Sequence, residues 1–356
     1  MRKFFNVGIA GYGIVGKRRH STIKKFKHFN VIALCDNNYS TFDNIKELNK
    51  NIKIFKTYKQ LLNEHIDILF ICLPNNLAAE VTYQALKRKI HVFCEKPPAK
   101  KPSELKKIAN ILKLRKKLKL MYGFNHRYHK SIIEAKRIID SKQFGKIINM
   151  KGTYGKSQMI SFNDKNHPSF WRTKRNISGG GVLLDQGIHM LDLMRYLGGE
   201  LEVTASNVSN NMWNYNVEDN VYALLRGKNN IIVFLNSSAT QWKHRFYLEI
   251  NFEYGNIELD GILSGTKSYG REKIIITKAD PKNDRGNPKQ INKFYRKDNS
   301  WYDEINYFFK VVKKEKNIKQ GTFDDAQKTL NLVFMIYYMD KLWRKKYNIK
   351  KPVLYS

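Results

Sequence analysis

Cysteine is scarce in this sequence, and the three that occur, Cys35, Cys72 and Cys94, each sit in an apolar strand-like run. An odd number without metal-ligand spacing argues against a disulfide framework and against a metal site, and for free thiols in a reducing compartment. Long apolar stretches are missing too. The longest, residues 66–74, is interrupted by Asp67 and is far shorter than the roughly 20 residues that cross a bilayer. A strand pattern begins within a few residues of Met1 and leaves no room for a secretory leader. A cytoplasmic location with no membrane partner is the expectation. Acidic residues are few, 31 against 65 Lys plus Arg, for a formal net charge of +34. Such a balance raises nucleic acid as a partner. The basic residues are spread along the whole chain, however, in short pairs such as Lys24-Lys25 and Lys106-Lys107. The expectation is a lysine-rich surface and no nucleic acid partner, with a positive field that speeds capture of an anionic substrate.

What is present is a chain of 356 residues, 42% of them apolar, enough for about two domains and a core that needs no staples. The first third alternates strand signals at 4–10, 31–35, 52–55, 66–72, 91–94 and 118–122 with helical stretches to about 26, at 77–88 and at 103–117, where Ser103 is placed as the cap. Continuous apolar strands alternating with helices imply a parallel sheet covered on both faces. After residue 123 the rhythm changes. Strands are expected at 147–154, 202–208, 220–225, 231–237, 246–252 and 256–259, a polar loop at 281–288, and helices at about 129–141, 183–197, 301–314 and 323–344. That spacing suggests a largely antiparallel sheet. The fold class expected is α/β, with domains at 1–123 and 124–356.

Gly11-Tyr12-Gly13-Ile14-Val15-Gly16 is a G-x-G-x-x-G between the first strand and a helix, the context in which this motif binds a dinucleotide. Gly11 permits the tight turn, Gly13 lets the backbone approach a pyrophosphate, and Gly16 lets helix and strand pack closely. Asp36 lies 20 residues past Gly16 at the end of the second strand. A carboxylate there accepts from the adenosine ribose and repels a 2′-phosphate, which favours NAD. Lys17, Arg18 and Arg19 are close enough in sequence that NADP is not excluded.

Two further clusters carry chemistry. Glu95-Lys96-Pro97 ends the fifth strand, where ligands of open parallel sheets bind; a lysine there stabilises a developing alkoxide. In Gly179-Gly180-Gly181-Val182-Leu183-Leu184-Asp185-Gln186-Gly187-Ile188-His189, Asp185 and His189 are four apart and share a helix face. A carboxylate beside an imidazole fixes its tautomer and raises its pKa, the tuning of a general acid/base. Gly187 gives a substrate room to approach, and the three glycines read as a flexible lead-in or an anion-accepting turn. A capping Asp and a satisfied core His remain the bland alternative.

These motifs, with Gly123-Phe124-Asn125-His126-Arg127-Tyr128, Trp171-Arg172 and Asp192, resemble the glucose–fructose oxidoreductase / inositol dehydrogenase / rhizopine-catabolism (Gfo/Idh/MocA) family over nearly the whole chain. The resemblance implies an N-terminal Rossmann domain and a C-terminal α/β domain with a large open sheet, sugar-like substrates, and homodimers or homotetramers packed through that sheet. It implies that Lys96 is the active-site lysine, His189 the acid/base, and Asp185 its partner and a substrate ligand. It further implies that Asn125, Arg127, Trp171 and Arg172 line the substrate side. Leu73, Pro74, Asn75 and Glu95 would border the cofactor, and the last long helix would pack back on the first domain. Many members carry a His shortly after the fourth-strand Pro-Asn; here the run is Pro74-Asn75-Asn76-Leu77-Ala78. Core packing remains an alternative for Trp171 and Trp242.

The function expected is NAD(P)-dependent hydride transfer at a secondary alcohol or ketone. The basic composition ranks a nucleotide sugar ahead of a free sugar or inositol. A non-catalytic NAD-binding sensor is the rival from another class. No metal is expected.

Overall fold

Six short strands pair in parallel because each is an apolar run closed by turn or helix-starting residues. They are β1 (Phe5–Ala10), β2 (Phe29–Cys35), β3 (Lys53–Phe55), β4 (Ile68–Ile71), β5 (His91–Glu95) and β6 (Leu120–Gly123), in the order β3-β2-β1-β4-β5-β6. The structure is a computed structural model and describes residues 4–42, 51–158, 167, 169–283, 286–314 and 316–355; part of the polar loop expected at 281–288 therefore lies outside the described residues.

Period-two alternation splits each strand between two layers. Ile68 and Phe70 of β4 point to a cluster with Phe5, Val7, Ile9 and Phe93. Leu69 and Ile71 point to the other face, against α2 (Asn75–Lys87) and α3 (Lys106–Leu114). All four β4 side chains are buried, and each contributes about 1.5–3 kcal/mol of burial. The first face is covered by α1 (Ile14–Ile23) and by a segment from far along the chain, which brings Ile305, Phe308 and Phe309 under the sheet. Ser103 does not cap α3. It lies inside a 3₁₀ turn opened by Pro102, and α3 starts only at Lys106.

The second sheet has eight strands: β7 (Ile147–Gly155), β8 (Leu201–Ser209), β9 (Asn220–Gly227), β10 (Ile232–Ser238), β11 (Arg245–Phe252), β12 (Gly255–Asp260), β13 (Glu272–Lys278) and β14 (Gln290–Tyr295). Their order is β14-β13-β12-β11-β7-β10-β9-β8, antiparallel except for the central β7–β10 pair. β13 and β14 are additions to the expected strands. One face is covered by α4 (Lys130–Ser141), α5 (Ile188–Gly198) and α7 (Phe323–Met339), while α6 (Ser300–Lys313) carries the residues that cover the first sheet. The other face is open in the single chain, with Tyr222, Leu224 and Ile232 exposed.

The helix expected at 323–344 is two helices. Asp340 ends α7 and caps α8 (Lys341–Tyr347) by accepting from the Trp343 amide at 2.8 Å. α7 touches β8, α5 and also β6 of the first sheet. Trp242 is no core residue: it is 65% exposed.

Candidate active site

The strand ends that bear the sequence motifs lie on one edge of the parallel sheet, beside the point between β1 and β4 where the strand order reverses, the place where such sheets bind ligands. The turn after β1 is shaped by contact. Gly11 has φ +89°, and a Cβ there would stand 2.4 Å from the Cys72 carbonyl oxygen. A Cβ on Gly16 would stand 2.0 Å from the Gly11 carbonyl oxygen, whereas one on Gly13 meets nothing within 4 Å. Two glycines are thus required by backbone packing, and the third faces open space at the N-terminus of α1, as a pyrophosphate cradle demands. The chain fits a dinucleotide here.

Asp36 accepts from the Tyr12 amide at 2.6 Å and from the Asn38 amide at 2.9 Å, which holds its carboxylate beside the glycine turn. Of the three cations that sequence left near it, the two arginines are engaged elsewhere and Lys17 is exposed. Arg19 is fully buried between the rings of Trp301 and Phe93, and pairs with Glu95 at 2.6 Å and Glu304 at 2.7 Å. Arg18 stacks on Trp301 and pairs with Asp298 at 3.0 Å.

Lys96 follows β5 and crosses to the second half of the chain, where its ammonium donates to the Asp185 carbonyl and lies 3.8 Å from the Asp185 carboxylate. Asp185 does not reach His189. Its carboxylate faces Arg172 at 3.2 Å, Lys96 and Lys156 at 3.7 Å. Charges at such separations attract with about 4 kcal/mol at an effective dielectric of 20, against about 1 kcal/mol net for a neutral hydrogen bond, so the cations win the carboxylate. Burial alone would raise the Asp185 pKa; Arg172, then Lys96 and Lys156, outweigh it and hold the carboxyl well below its ordinary range. The segment also opens with a π-helical turn, Leu183–Gly187, before α5 begins.

His189 is held instead by stacking. Its ring lies 3.8 Å from that of His126, 17° from parallel, and its Nδ1 is buried with no hydrogen-bond partner. His126 is itself fixed: Asn125 Oδ1 lies 3.2 Å from its Nδ1 and the Tyr154 hydroxyl 3.0 Å from its Nε2. An amide oxygen only accepts, so Nδ1 of His126 carries the proton and Nε2 accepts from Tyr154. The expected rise in the His189 pKa is reversed. Burial first, then His126, Lys96 and His129, push it well below the ordinary value.

The glycines before the helix are packed rather than flexible. A Cβ on Gly181 would stand 2.0 Å from the Glu218 carbonyl oxygen, and the turn's amides already have an acceptor: the Glu218 carboxyl accepts from Gly181 at 2.7 Å and Leu183 at 3.1 Å. Gly187 leaves room for β10 rather than for a substrate, since a Cβ there would meet Ser237 Oγ at 2.7 Å.

The profile of an oxidoreductase family's NAD-binding Rossmann fold matches residues 5–124, and that of the GFO/IDH/MocA C-terminal domain matches residues 132–258. The chain belongs to the Gfo/Idh/MocA oxidoreductase family. Levoglucosan dehydrogenase of Pseudarthrobacter phenanthrenivorans is 34% identical over 144 residues, 40% of this chain and 36% of that protein, so the alignment spans about a third of the relative. Myo-inositol 2-dehydrogenase of Thermotoga maritima is 24% identical over 86% of this chain and 88% of its own length. The solved structure of a levoglucosan dehydrogenase with NADH and levoglucosan shares the fold with a TM-score of 0.82 at 20% identity, over 95% of this chain and 98% of that one.

Several residues that the Gfo/Idh/MocA resemblance assigns to substrate or cofactor are engaged within the protein. Asn75, at the start of α2 beside Leu73 and Pro74, donates to the Ser178 carbonyl at 2.7 Å. Asn125 donates to Ser300 Oγ at 3.2 Å. Arg127 is buried and forks onto Asp192 at 2.8 and 2.6 Å. Trp171 is partly buried and stacks on Arg172, whose guanidinium carbon is 4.7 Å from the ring centre. Lys156 and His126 are the residues that sequence reasoning missed. Lys156 directly follows the end of β7, and His126 lies inside the quoted Gly123–Tyr128 run, which was the available signal.

Proposed function

We propose that this chain is an NAD-dependent dehydrogenase or reductase of a secondary alcohol on a free sugar or cyclitol, with residues 1–123 binding the dinucleotide and 124–356 the substrate. The observation that carries this reading is one largely buried cluster, Lys96, Asp185 and neutral His189, at the edge that also bears the glycine turn. A bound dinucleotide supplies the hydride acceptor. His189 takes the hydroxyl proton through an uncharged imidazole, Lys96 donates a hydrogen bond to the same oxygen and offsets its developing negative charge, and Asp185 keeps Lys96 in place. The nucleotide sugar ranked first on composition gives way to its alternative, because the relatives carry the names of levoglucosan and inositol dehydrogenases. A homodimer or homotetramer packed through the open face accounts for exposed Tyr222, Leu224 and Ile232.

Purified protein with NAD and a panel of free sugars, polyols and nucleotide sugars, followed by NADH absorbance, tests this. Turnover is expected with free carbohydrates, and kcat/KM should favour NAD over NADP by about tenfold or more, equivalent to 1.4 kcal/mol. Asp36→Ala should narrow that ratio, since no carboxylate then repels the 2′-phosphate. NAD binding without turnover on any substrate would replace the proposal with the sensor reading.

The pH dependence follows from the direction of the His189 shift. A base works above its pKa, and burial, His126, Lys96 and His129 all favour the uncharged ring. Oxidation should therefore hold its kcat/KM through pH 6.5 and decline only in more acidic solution. His126→Phe keeps a flat ring in the stack but removes one opposing imidazole, and should move the acid limb upward. A wild-type limb centred at pH 6.5 or above would overturn the assignment of His189.

A further inference from the structure

Trp242 belongs neither to the core nor to the chemistry described above, and its placement is unfavourable twice over. It is 65% exposed, the most exposed aromatic side chain among the described residues. It also stands at φ +52°, a left-handed conformation that bulky residues rarely adopt. Strain of this kind persists only where the surroundings enforce it, and it clusters at ligand-binding segments. The ring is held in place. It packs on Trp213 with 6.1 Å between ring centres, and the indole N–H of Trp213 donates to the Ala239 carbonyl at 2.7 Å. Ala239, Val182 and Val217 form a small buried cluster against which Trp213 packs. Asn214, next to Trp213, is left-handed as well, at φ +52°. Two turn tips therefore meet through their tryptophans and leave most of one indole in water.

Separate routes tie this pair to the reacting cluster. The Gln241 amide donates to the Lys156 carbonyl at 3.2 Å, and the Lys156 ammonium lies 3.7 Å from the Asp185 carboxylate. Val182, in the cluster under Trp213, directly precedes the Leu183–Gly187 turn that bears Asp185. On the other flank, Arg172 meets Asp185 at 3.2 Å and shares a short turn with Phe170, whose ring contacts that of Tyr215. Trp242 thus stands at the rim of the cleft. One lysine side chain and one backbone hydrogen bond separate its turn from Asp185, a length that the second ring of a disaccharide covers. The residues beside the two tryptophans, Asn214 and Gln241, are uncharged amides. A flat apolar face flanked by amides matches a sugar ring, which presents C–H bonds on its face and hydroxyls at its edge.

We infer that Trp242 is the platform of a second sugar subsite: the substrate is a disaccharide or other glycoside, whose reacting ring meets Lys96 and His189 and whose second ring lays its C–H face on the indole. Those C–H bonds carry partial positive charge and suit the negative face of the aromatic ring. This rests on the dehydrogenase reading above and adds the size of the substrate to it. Trp242 determines specificity and takes no part in the proton transfer.

Steady-state oxidation with NAD is compared for a panel of neutral disaccharides and for the monosaccharides that compose them. The best disaccharide should exceed its parent monosaccharide in kcat/KM by about 3–10-fold, the range of one aromatic stacking contact, and the gain should reside in KM. The gain should vanish in Trp242→Asn, which tolerates the left-handed turn but has no ring, and in Trp242→Leu, which keeps apolar bulk without a π face. It should persist in Trp242→Tyr. If Trp242→Asn does not fold, Trp242→Leu decides. A wild-type ratio near one, or a ratio unchanged in the variants that lack the ring, overturns the inference while the dehydrogenase reading stands. A change of oligomeric state in those variants, read by sedimentation, also overturns it, because Trp242 would then belong to a contact between copies of the chain. If no sugar turns over, the dehydrogenase reading fails, and calorimetry with the same disaccharides decides: binding lost in Trp242→Leu and kept in Trp242→Tyr supports the subsite, and binding that is absent or unchanged removes it.

Discussion

Lys96→Met is expected to lower kcat by about two to four orders of magnitude, the usual contribution of one positioned electrostatic or acid–base group. Methionine keeps most of the lysine stem, so the packing between β5 and the Asp185 segment is retained. What is lost is the ammonium that bridges the Asp185 carbonyl and carboxylate and that would meet the substrate oxygen. Asp185 keeps Arg172 and Lys156 as partners, so the variant should melt close to wild type. His189→Asn should cost a similar factor by removing the proton acceptor. The two losses should not add, because both groups serve one oxygen. Steady-state kinetics paired with calorimetric titration of NAD provides the check: dinucleotide affinity should stay near wild type in both variants. Turnover within about threefold of wild type in either would remove that residue from the chemistry.

The parts of the molecule that could be read in advance are those where one physical requirement dominates. β1, β4 and β5 have buried centres, so their runs are mostly apolar and are followed within three residues by Gly11, Pro74 and Pro97, a signal that needs no tertiary information. β14 reads Gln-Ile-Asn-Lys-Phe-Tyr and is exposed along nearly its whole length at a sheet edge; with no buried face, its sequence carries no pattern to detect. The break between α7 and α8 was hidden for another reason: the apolar spacing continues through it, and only the capping geometry of Asp340 separates the two helices.

The site divides in the same way. Gly11 and Gly16 were legible because backbone contact leaves no alternative residue. The pairing of Asp185 with His189 was not, because four-residue spacing says which groups can meet and nothing about competitors. Arg172 is nearby in sequence, but Lys96 and Lys156 come from strand ends far apart in the chain. The His126–His189 stack likewise joins the turn after β6 to α5. Long-range geometry therefore turns an expected raised pKa into a lowered one.

The fate of Arg127 makes the same distinction measurable. Arg127→Ala should destabilise the fold by about 3–5 kcal/mol, the cost of leaving a buried charge without its partner. The guanidinium forks onto Asp192 of α5, reaches Asp325 Oδ2 of α7 at 3.2 Å and lies 4.7 Å from the Tyr196 ring centre. It thus joins the turn after β6 to two helices that cover the second sheet. Asp192 is fully buried and would be left in a medium that penalises its charge. Asp325 would keep its second task, accepting from the Thr322 amide at 3.0 Å in the cap of α7, so the loss should centre on Asp192. Arg127→Leu combined with Asp192→Leu removes both charges and should recover much of the stability, because an apolar pair carries no desolvation cost. Urea unfolding of the wild type, both single variants and the double variant gives the coupling directly. A substrate-lining arginine, the role that family resemblance suggests, would behave otherwise: KM would rise while the unfolding midpoint stayed fixed, and that result would return Arg127 to the cleft.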